Sequence, residues 1–179
     1  PISAKSSAIS KIKPLSRAFF QLVEMCNVLD IFKPFKLEPI KSFHLAEGPG
    51  GFIEAMTYLR FNLKDEYYGM TLIDNLNTNI PGWKKSELFL EKNKNVIIEN
   101  GIDKTGNLYH PENFKYCIEK YGNSMNFITG DGGFDFSVDY NRQESLALRL
   151  ILTQVAYALG MQAKGGSFIL KIFDLFSKA

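Results

Sequence analysis

Two residues in this 179-residue chain have the types and settings that chemistry needs: Asp131 and Lys171. Asp131 follows the apolar run Met125-Asn126-Phe127-Ile128-Thr129 and sits among Gly130, Gly132 and Gly133. Lys171 lies in Phe168-Ile169-Leu170-Lys171-Ile172-Phe173, a run that otherwise reads as a buried strand. A lysine in such a place needs a partner or a lowered pKa. If the two strand ends align, Asp131 and Lys171 pair. A lysine held this way assists deprotonation of a hydroxyl or stabilises the developing alkoxide. The plainer readings are a turn-forming aspartate and a structural ion pair, or a lysine reaching out from a strand end.

A third feature is the stretch Phe43-His44-Leu45-Ala46-Glu47-Gly48-Pro49-Gly50-Gly51-Phe52. A short apolar run ends in a glycine turn, and Phe52, Ile53, Ala55, Met56 and Leu59 then recur at helical spacing. Glycines permit positive φ and close approach of a ligand to the backbone. A helix N-terminus beyond the loop suits the polar or anionic end of a nucleotide-like ligand. Ile53 stands where the dinucleotide fingerprint requires its third glycine, which disfavours NAD. Glu47 at the strand end would repel a phosphate and favours a cationic ligand. An ordinary strand-to-helix turn is the competing reading.

The elements that must position these residues alternate. A helix runs from a Ser16 cap to about Leu29, with Phe19, Leu22, Val23, Met25 and Cys26 as its apolar set. Strands are expected at 43–47, 67–72, 95–98, 125–129 and, turning in at Gly165-Gly166, at 167–172. Helices follow at about 52–59, 111–121 and 141–159, the second opening on Pro111. Residues 74–82 carry loop chemistry. Alternation of this kind means βαβ units and a mostly parallel, doubly wound α/β sheet with helices on both faces. In such sheets the ligand sits outside the carboxyl ends of the strands. That end collects Glu47–Gly51, Thr71–Asp74, Glu99–Asp103, Asp131–Gly133 and Lys171–Asp174. Asp103 and Asn107 fall where an adenine would bind, and Asp74 within reach of a ribose. His44 reads as a core residue and His110 as a surface or turn residue. Trp83 either packs under its loop or stacks on a base.

Composition narrows the class. Hydrophobic residues make up 45% of the chain and Phe alone contributes fifteen, which argues against disorder. No apolar run approaches the ~20 residues of a membrane span, so no membrane partner is expected. Two distant cysteines, Cys26 and Cys117, match no metal spacing and read as reduced thiols of an intracellular protein. The net charge of +2 does not by itself imply nucleic acid. Residues 1–41, however, carry seven cations against three acids, a face that could track a phosphate backbone. Residues 1–14, closed by Pro14, read as a basic arm ahead of one domain over 15–179. The chain stops soon after the fifth strand, so missing last strands are expected.

Seven short motifs occur in order: Ser16-Arg17-Ala18, the His44–Phe52 stretch, Gly69-Met70-Thr71-Leu72, Gly101-Ile102-Asp103, Pro111-Glu112-Asn113, Asp131-Gly132-Gly133 and Gly165–Phe176. On these the chain resembles the FtsJ-like (RrmJ-like) ribose 2′-O-methyltransferases from about Ser16 to its end. Within them it looks most like the mRNA cap 2′-O-methyltransferases of eukaryotes and large DNA viruses. The resemblance implies a Rossmann-like methyltransferase fold and S-adenosyl-L-methionine as donor, a ligand cationic at its amino and sulfonium groups. It implies transfer to a ribose 2′-OH near the 5′ cap of mRNA, and an intracellular setting, nuclear or in the host cytoplasm for a virus. Glu47, Gly48, Pro49, Gly50, Gly51 and Phe52, with Thr71, Asp103 and Asp131, are the expected donor-binding positions.

The family works with a Lys-Asp-Lys-Glu tetrad. Asp131 matches its aspartate and Lys171 the lysine that activates the hydroxyl. The place of the first lysine holds Gln21, which hydrogen-bonds but carries no charge. Lys11 or Lys13 from the arm could reach in instead. The glutamate belongs in a later strand than this chain contains. A partner subunit or appended domain could add RNA affinity. Two other readings stay open: a non-catalytic RNA-binding or scaffolding member of the same fold, marked by Gln21, and an enzyme acting on ribosomal or transfer RNA.

Overall fold

The structure, a computed structural model, describes residues 11–36, 38–74, 80–133 and 143–172, with side-chain detail in the last segment from residue 147 onward. Five strands, β1 (Lys41–Leu45), β2 (Glu66–Met70), β3 (Val96–Ile98), β4 (Met125–Gly130) and β5 (Gln162–Leu170), form one sheet in the order β3-β2-β1-β4-β5. Every pairing is parallel. The helices are α1 (Ala18–Val28), α2 (Gly51–Arg60), α3 (Glu87–Lys92), α4 (Pro111–Tyr121) and α5 (Gln143–Met161). This is the doubly wound, Rossmann-like arrangement the alternating pattern calls for. The order reverses between β1 and β4, which makes that gap the topological switch point.

Alternation along the strands builds two cores. Phe43, Leu45, Tyr68, Met70, Met125 and Ile128 point to one face, where Cys117 and Tyr121 of α4 and Leu150 and Tyr157 of α5 cover them. Tyr67, Val96 and Phe127 point to the other, under Phe19, Leu22 and Cys26 of α1 and Phe52, Ile53 and Met56 of α2. Neighbouring residues such as Tyr67 and Tyr68 therefore serve opposite layers, as a period of two requires. His44 is fully buried between β1 and β4. Its Nδ1 meets Thr129 Oγ1 and its Nε2 meets Ser42 Oγ, both at 2.8 Å. Burial pushes its pKa down to about 3, so it stays neutral.

The elements differ from the sequence expectations in three places. The short helix α3 occupies a stretch that had no element assigned, because six residues with no buried side chain leave no apolar period to read. Strand β5 begins at Gln162 rather than Ser167 and passes through Gly165-Gly166 with a shift of register opposite Met125–Phe127. A Cβ on Gly166 would press on the carbonyl oxygens of Met125 and Asn126 at 2.9 and 3.0 Å, so glycine marks a bulge here and not a turn. The strand ends at Leu170, which places Lys171 just beyond it with 38% of its side chain exposed. The expectation of a lysine inside a buried strand is corrected accordingly. Expectations that fall on residues 1–10, 75–79, 134–142 and 173–179 lie outside the described residues.

Candidate active site

Register sets the site. Leu45 pairs with both Met70 and Gly130, and Gly130 with Leu170. The residues that follow these strands emerge at one level: Ala46 and Glu47, Thr71, Asp131 and Lys171. The amide of Asp131 donates to the Leu45 carbonyl at 3.3 Å, and that of Lys171 to the Gly130 carbonyl at 2.8 Å. The Lys171 ammonium forms an ion pair with the Asp131 carboxylate, whose side chain is 17% exposed. The strand ends do align, and the structure brings these two residues together beside the switch point. A half-buried pair open on one side can offer a fixed cation to a third group. That is the geometry a group stabilising a developing oxyanion needs.

The glycine turn leads directly into α2. Gly50 has a φ of 109°, a value that L side chains rarely adopt. The Glu47 carboxylate turns inward, and its Oε1 accepts the amides of Phe52 and Ile53 at 2.8 and 2.9 Å. It thereby closes the N-terminus of α2, leaving that end bound to a side chain and not open to a ligand anion. Burial pushes the Glu47 carboxyl up to about 8, and the neighbouring Asp131 charge adds to that, against the two amide bonds that favour ionisation. Glu47 thus shapes the loop from beneath. The glycines also have protein neighbours. A Cβ on Gly48 would crowd the Gly82 carbonyl at 2.7 Å and the Thr71 hydroxyl at 2.9 Å. One on Gly50 would touch Leu15 and Trp83 at 3.4 Å.

Two supporting residues escaped the sequence reading, and a third, Trp83, takes the first of the two roles read for it. Ser86, fully buried ahead of α3, donates its hydroxyl to the Pro49 carbonyl and pins the glycine turn. A serine directly before Glu87 is a helix-start pattern that could have exposed both it and α3. Gln154 of α5 is fully buried. Its Oε1 accepts the Gly132 amide at 3.0 Å and holds the Asp131 loop, while its Nε2 donates to the Leu150 carbonyl. A lone glutamine in the apolar stretch 150–158 was the available signal. Trp83 packs over Gly69, where a Cβ would lie 2.6 Å from its ring. This is the packing role under the loop, and the loop position is set by a glycine in β2.

The other candidates are distributed as follows. Asp74, Ile73, Ile80, Gly82, Trp83 and Lys84 line a pocket of about 240 Å³ at the carboxyl end of β2. Asp103 is brought to the loop beyond β3, but its oxygens accept from Thr105, Asn113 and His110. Burial acts against ionisation there, yet these bonds outweigh it and hold the carboxyl well below its ordinary value. Asn107 accepts the Tyr109 amide and contacts His110, so the loop is braced by its own side chains. Glu99, at the end of β3, is kept ionised against its burial by Tyr121, Lys120 and the Gly101 amide. Gln21 is exposed on α1, and Lys11 and Lys13 are exposed ahead of it.

Comparison with known proteins follows the same lines. The sequence model of the FtsJ-like methyltransferase family matches residues 14–179. The chain is 27% identical over 179 residues to cap-specific mRNA (nucleoside-2′-O-)-methyltransferase 2 of Drosophila melanogaster, covering 93% of this chain and 26% of that protein. It is 34% identical over 137 residues to cap-specific mRNA (nucleoside-2′-O-)-methyltransferase 1 of Danio rerio and of Homo sapiens, covering 73% of this chain and 16% of each. The chain therefore spans about a quarter or less of the length of these curated relatives. Among solved structures, a Plasmodium falciparum chain described as a ribosomal RNA methyltransferase superposes with a TM-score of 0.55 at 17% identity, over 87% of this chain and 76% of that one.

Family and fold imply S-adenosyl-L-methionine as cofactor, and the residues present fit it. The pocket beyond β2 combines apolar and aromatic walls with one carboxylate, Asp74, the chemistry that a nucleoside's base and ribose hydroxyls require. Among the described residues, Trp83 Nε1 in this pocket and Asn100 Oδ1 beyond β3 are buried without a hydrogen-bond partner, as expected where a polar ligand completes the shell. Motifs, fold and family match agree: the chain belongs to the FtsJ-like methyltransferase family.

Proposed function

We propose that this chain transfers a methyl group to a ribose 2′-OH of RNA at a cap-proximal nucleotide of mRNA. The observation that carries the reading is the Asp131–Lys171 ion pair, placed by strand register at the switch point beside the glycine turn. The curated relatives, whose names specify cap 2′-O-methylation, support the same substrate.

When bound, S-adenosyl-L-methionine supplies an electrophilic methyl on a sulfonium. The remaining work falls to this chain. The turn at 47–51 and the pocket beyond β2 hold the donor's two ends. Asp131, fixed by its amide bond to Leu45 and by the Gln154 brace at Gly132, orients Lys171. Lys171 would hold the 2′-oxygen and stabilise its developing negative charge as the hydroxyl proton passes to water on the open side of the pair. With the donor bound, these residues would hold the 2′-oxygen in line with its methyl group, and that positioning would supply most of the rate gain.

A second reading has one observation in its favour. Gln21 is exposed on α1 and uncharged where the family has a lysine, which suits a member that binds RNA without turnover. Transfer of labelled methyl to matched capped and uncapped short RNAs separates the two. Cap-dependent, alkali-resistant label at the first or second nucleotide is the expected result. Absence of label on both RNAs, with donor binding intact, would overturn the catalytic reading in favour of the second. Equal label on both would remove the cap from it.

A further inference from the structure

Helix α1 presents an unusual face to solvent. Arg17, Phe20, Gln21 and Glu24 recur at helical spacing, and all four are exposed. Phe20 is 42% exposed, and Tyr58 on the adjoining helix α2 is 57% exposed. Buried Phe19 lies between them, edge-on to Phe20 at 5.2 Å and to Tyr58 at 5.5 Å. Both exposed rings therefore pack against a third that is buried in the core. From residue 11 to residue 24 the chain has three cations, Lys11, Lys13 and Arg17, against one acid, Glu24 at the far end of the face. All three cations are exposed. The nearest carboxylate on α2, Glu54, accepts the Leu15 amide at 2.7 Å, which fixes the arm against the helix that carries Tyr58. The same corner abuts the glycine turn, since Leu15 and Ser16 are the side chains that crowd Gly50 and Gly51.

We propose that this α1–α2 face is a track for single-stranded RNA, with bases stacking on Phe20 and Tyr58 and phosphates meeting Lys11, Lys13 and Arg17. The inference rests on the RNA-substrate reading above and adds the residues that grip the strand leading away from the reacting ribose. Rigid exposed aromatics next to cations are how proteins bind unpaired strands, because every base has a π-face and every nucleotide a charge. A duplex hides its base faces and does not fit.

Fluorescence anisotropy of the chain with a labelled, uncapped 12-nucleotide RNA tests the track, beside the same sequence as a duplex. Phe20→Ala and Tyr58→Ala are expected to weaken single-strand binding on the order of tenfold each, and Phe20→Leu and Tyr58→Leu to weaken it as well, because bulk without a π-face does not stack. Lys13→Ala is expected to lower the slope of log affinity against log salt by about 0.7. Donor affinity stays at the parent value in all five variants, and all five stay folded at the assay temperature, the Leu variants melting closest to the parent because they keep the apolar bulk against Phe19. Parent-like RNA affinity in the Ala and Leu variants would overturn the track. So would equal losses for duplex and single strand, or loss of self-association in place of RNA binding. If the unaltered chain methylates RNA while the variants bind it normally, the track falls and the methyl-transfer reading stands. If the unaltered chain transfers no methyl yet Phe20→Ala and Phe20→Leu both lose single-strand binding, that reading falls and the track stands.

Discussion

The two edges of the sheet are built to opposite rules. At the amino edge a buried ion pair joins Arg60 and Asp65, with side chains 3% and 0% exposed. The two Asp65 oxygens also accept the Ile40 amide and the Tyr67 hydroxyl, and Arg60 further donates to the carbonyls of Lys36 and Glu38. Every partner is protein, and the cluster ties α2 to the starts of β1 and β2. At the carboxyl edge the Asp131–Lys171 pair is open to solvent on one side, a carboxyl is pushed toward neutrality, and Trp83 Nε1 and Asn100 Oδ1 have no hydrogen-bond partner among the described residues. Among the described residues the Tyr157 hydroxyl, in the α5 layer, is also buried without a hydrogen-bond partner. Closed polar clusters hold a fold in place, whereas incomplete ones leave valences for something else to fill.

If that contrast is right, damage at the amino edge destroys stability and damage at the carboxyl edge destroys function. The largest effect is expected from Arg60→Ala, which leaves Asp65 buried and uncompensated and costs about 3–5 kcal/mol. Urea denaturation measures it, and donor affinity of the molecules that remain folded should not change. Next is Gly50→Val. A branched side chain at a φ of 109°, already in contact with Leu15 and Trp83, costs about 1–3 kcal/mol and abolishes donor binding in calorimetry. Unchanged donor affinity would remove the turn from the binding site.

Glu47 gives a pH test. Its carboxyl titrates near 8 in the fold against about 4.5 when free, so folding takes up a proton between those values. Its contribution is complete below about 4.5 and is lost as pH rises through 8. His44 has the opposite sign: held neutral down to about 3, it costs stability as pH falls below 6.5. Between pH 6.5 and 8 the Glu47 effect is separated from that of His44. Glu47→Gln, which still accepts both amides, should flatten the decline of stability across that window, and an unaltered slope would refute the assignment. The smallest effect is expected from Ser86→Ala, about 1 kcal/mol in melting experiments for the lost bond to Pro49, with a modest rise in donor KM.

Much of the fold was legible because its signals are periodic. Apolar runs bounded by glycine marked four of the five strands to within about two residues, and Pro111 marked the start of α4. The pairing of Asp131 with Lys171 was legible as a condition on the alignment of two strand ends, which the register of β4 and β5 meets with Lys171 just past its strand. What the sequence hid was non-periodic. Helix α3 is too short and too exposed to show a face. The Gly165-Gly166 bulge mimics a turn, since glycine serves both. The orientation of Glu47 depends on where the amides of α2 fall, and the loop supports from Ser86 and Gln154 cross 37 and 22 residues respectively, distances that no local pattern encodes.

The most direct test is the single-turnover rate of methyl transfer to one capped RNA, at saturating donor, by the unaltered chain and by Lys171→Ala. The Asp131 and Lys171 side chains keep 17% and 38% of their surface exposed, against 0% and 3% for Asp65 and Arg60, so the variant should lose much less stability than Arg60→Ala. Its rate should fall by about 10²–10⁴, the range for loss of a positioned group that assists proton transfer. A variant that transfers methyl at the parent rate would contradict the account and return the Asp131–Lys171 pair to a structural role.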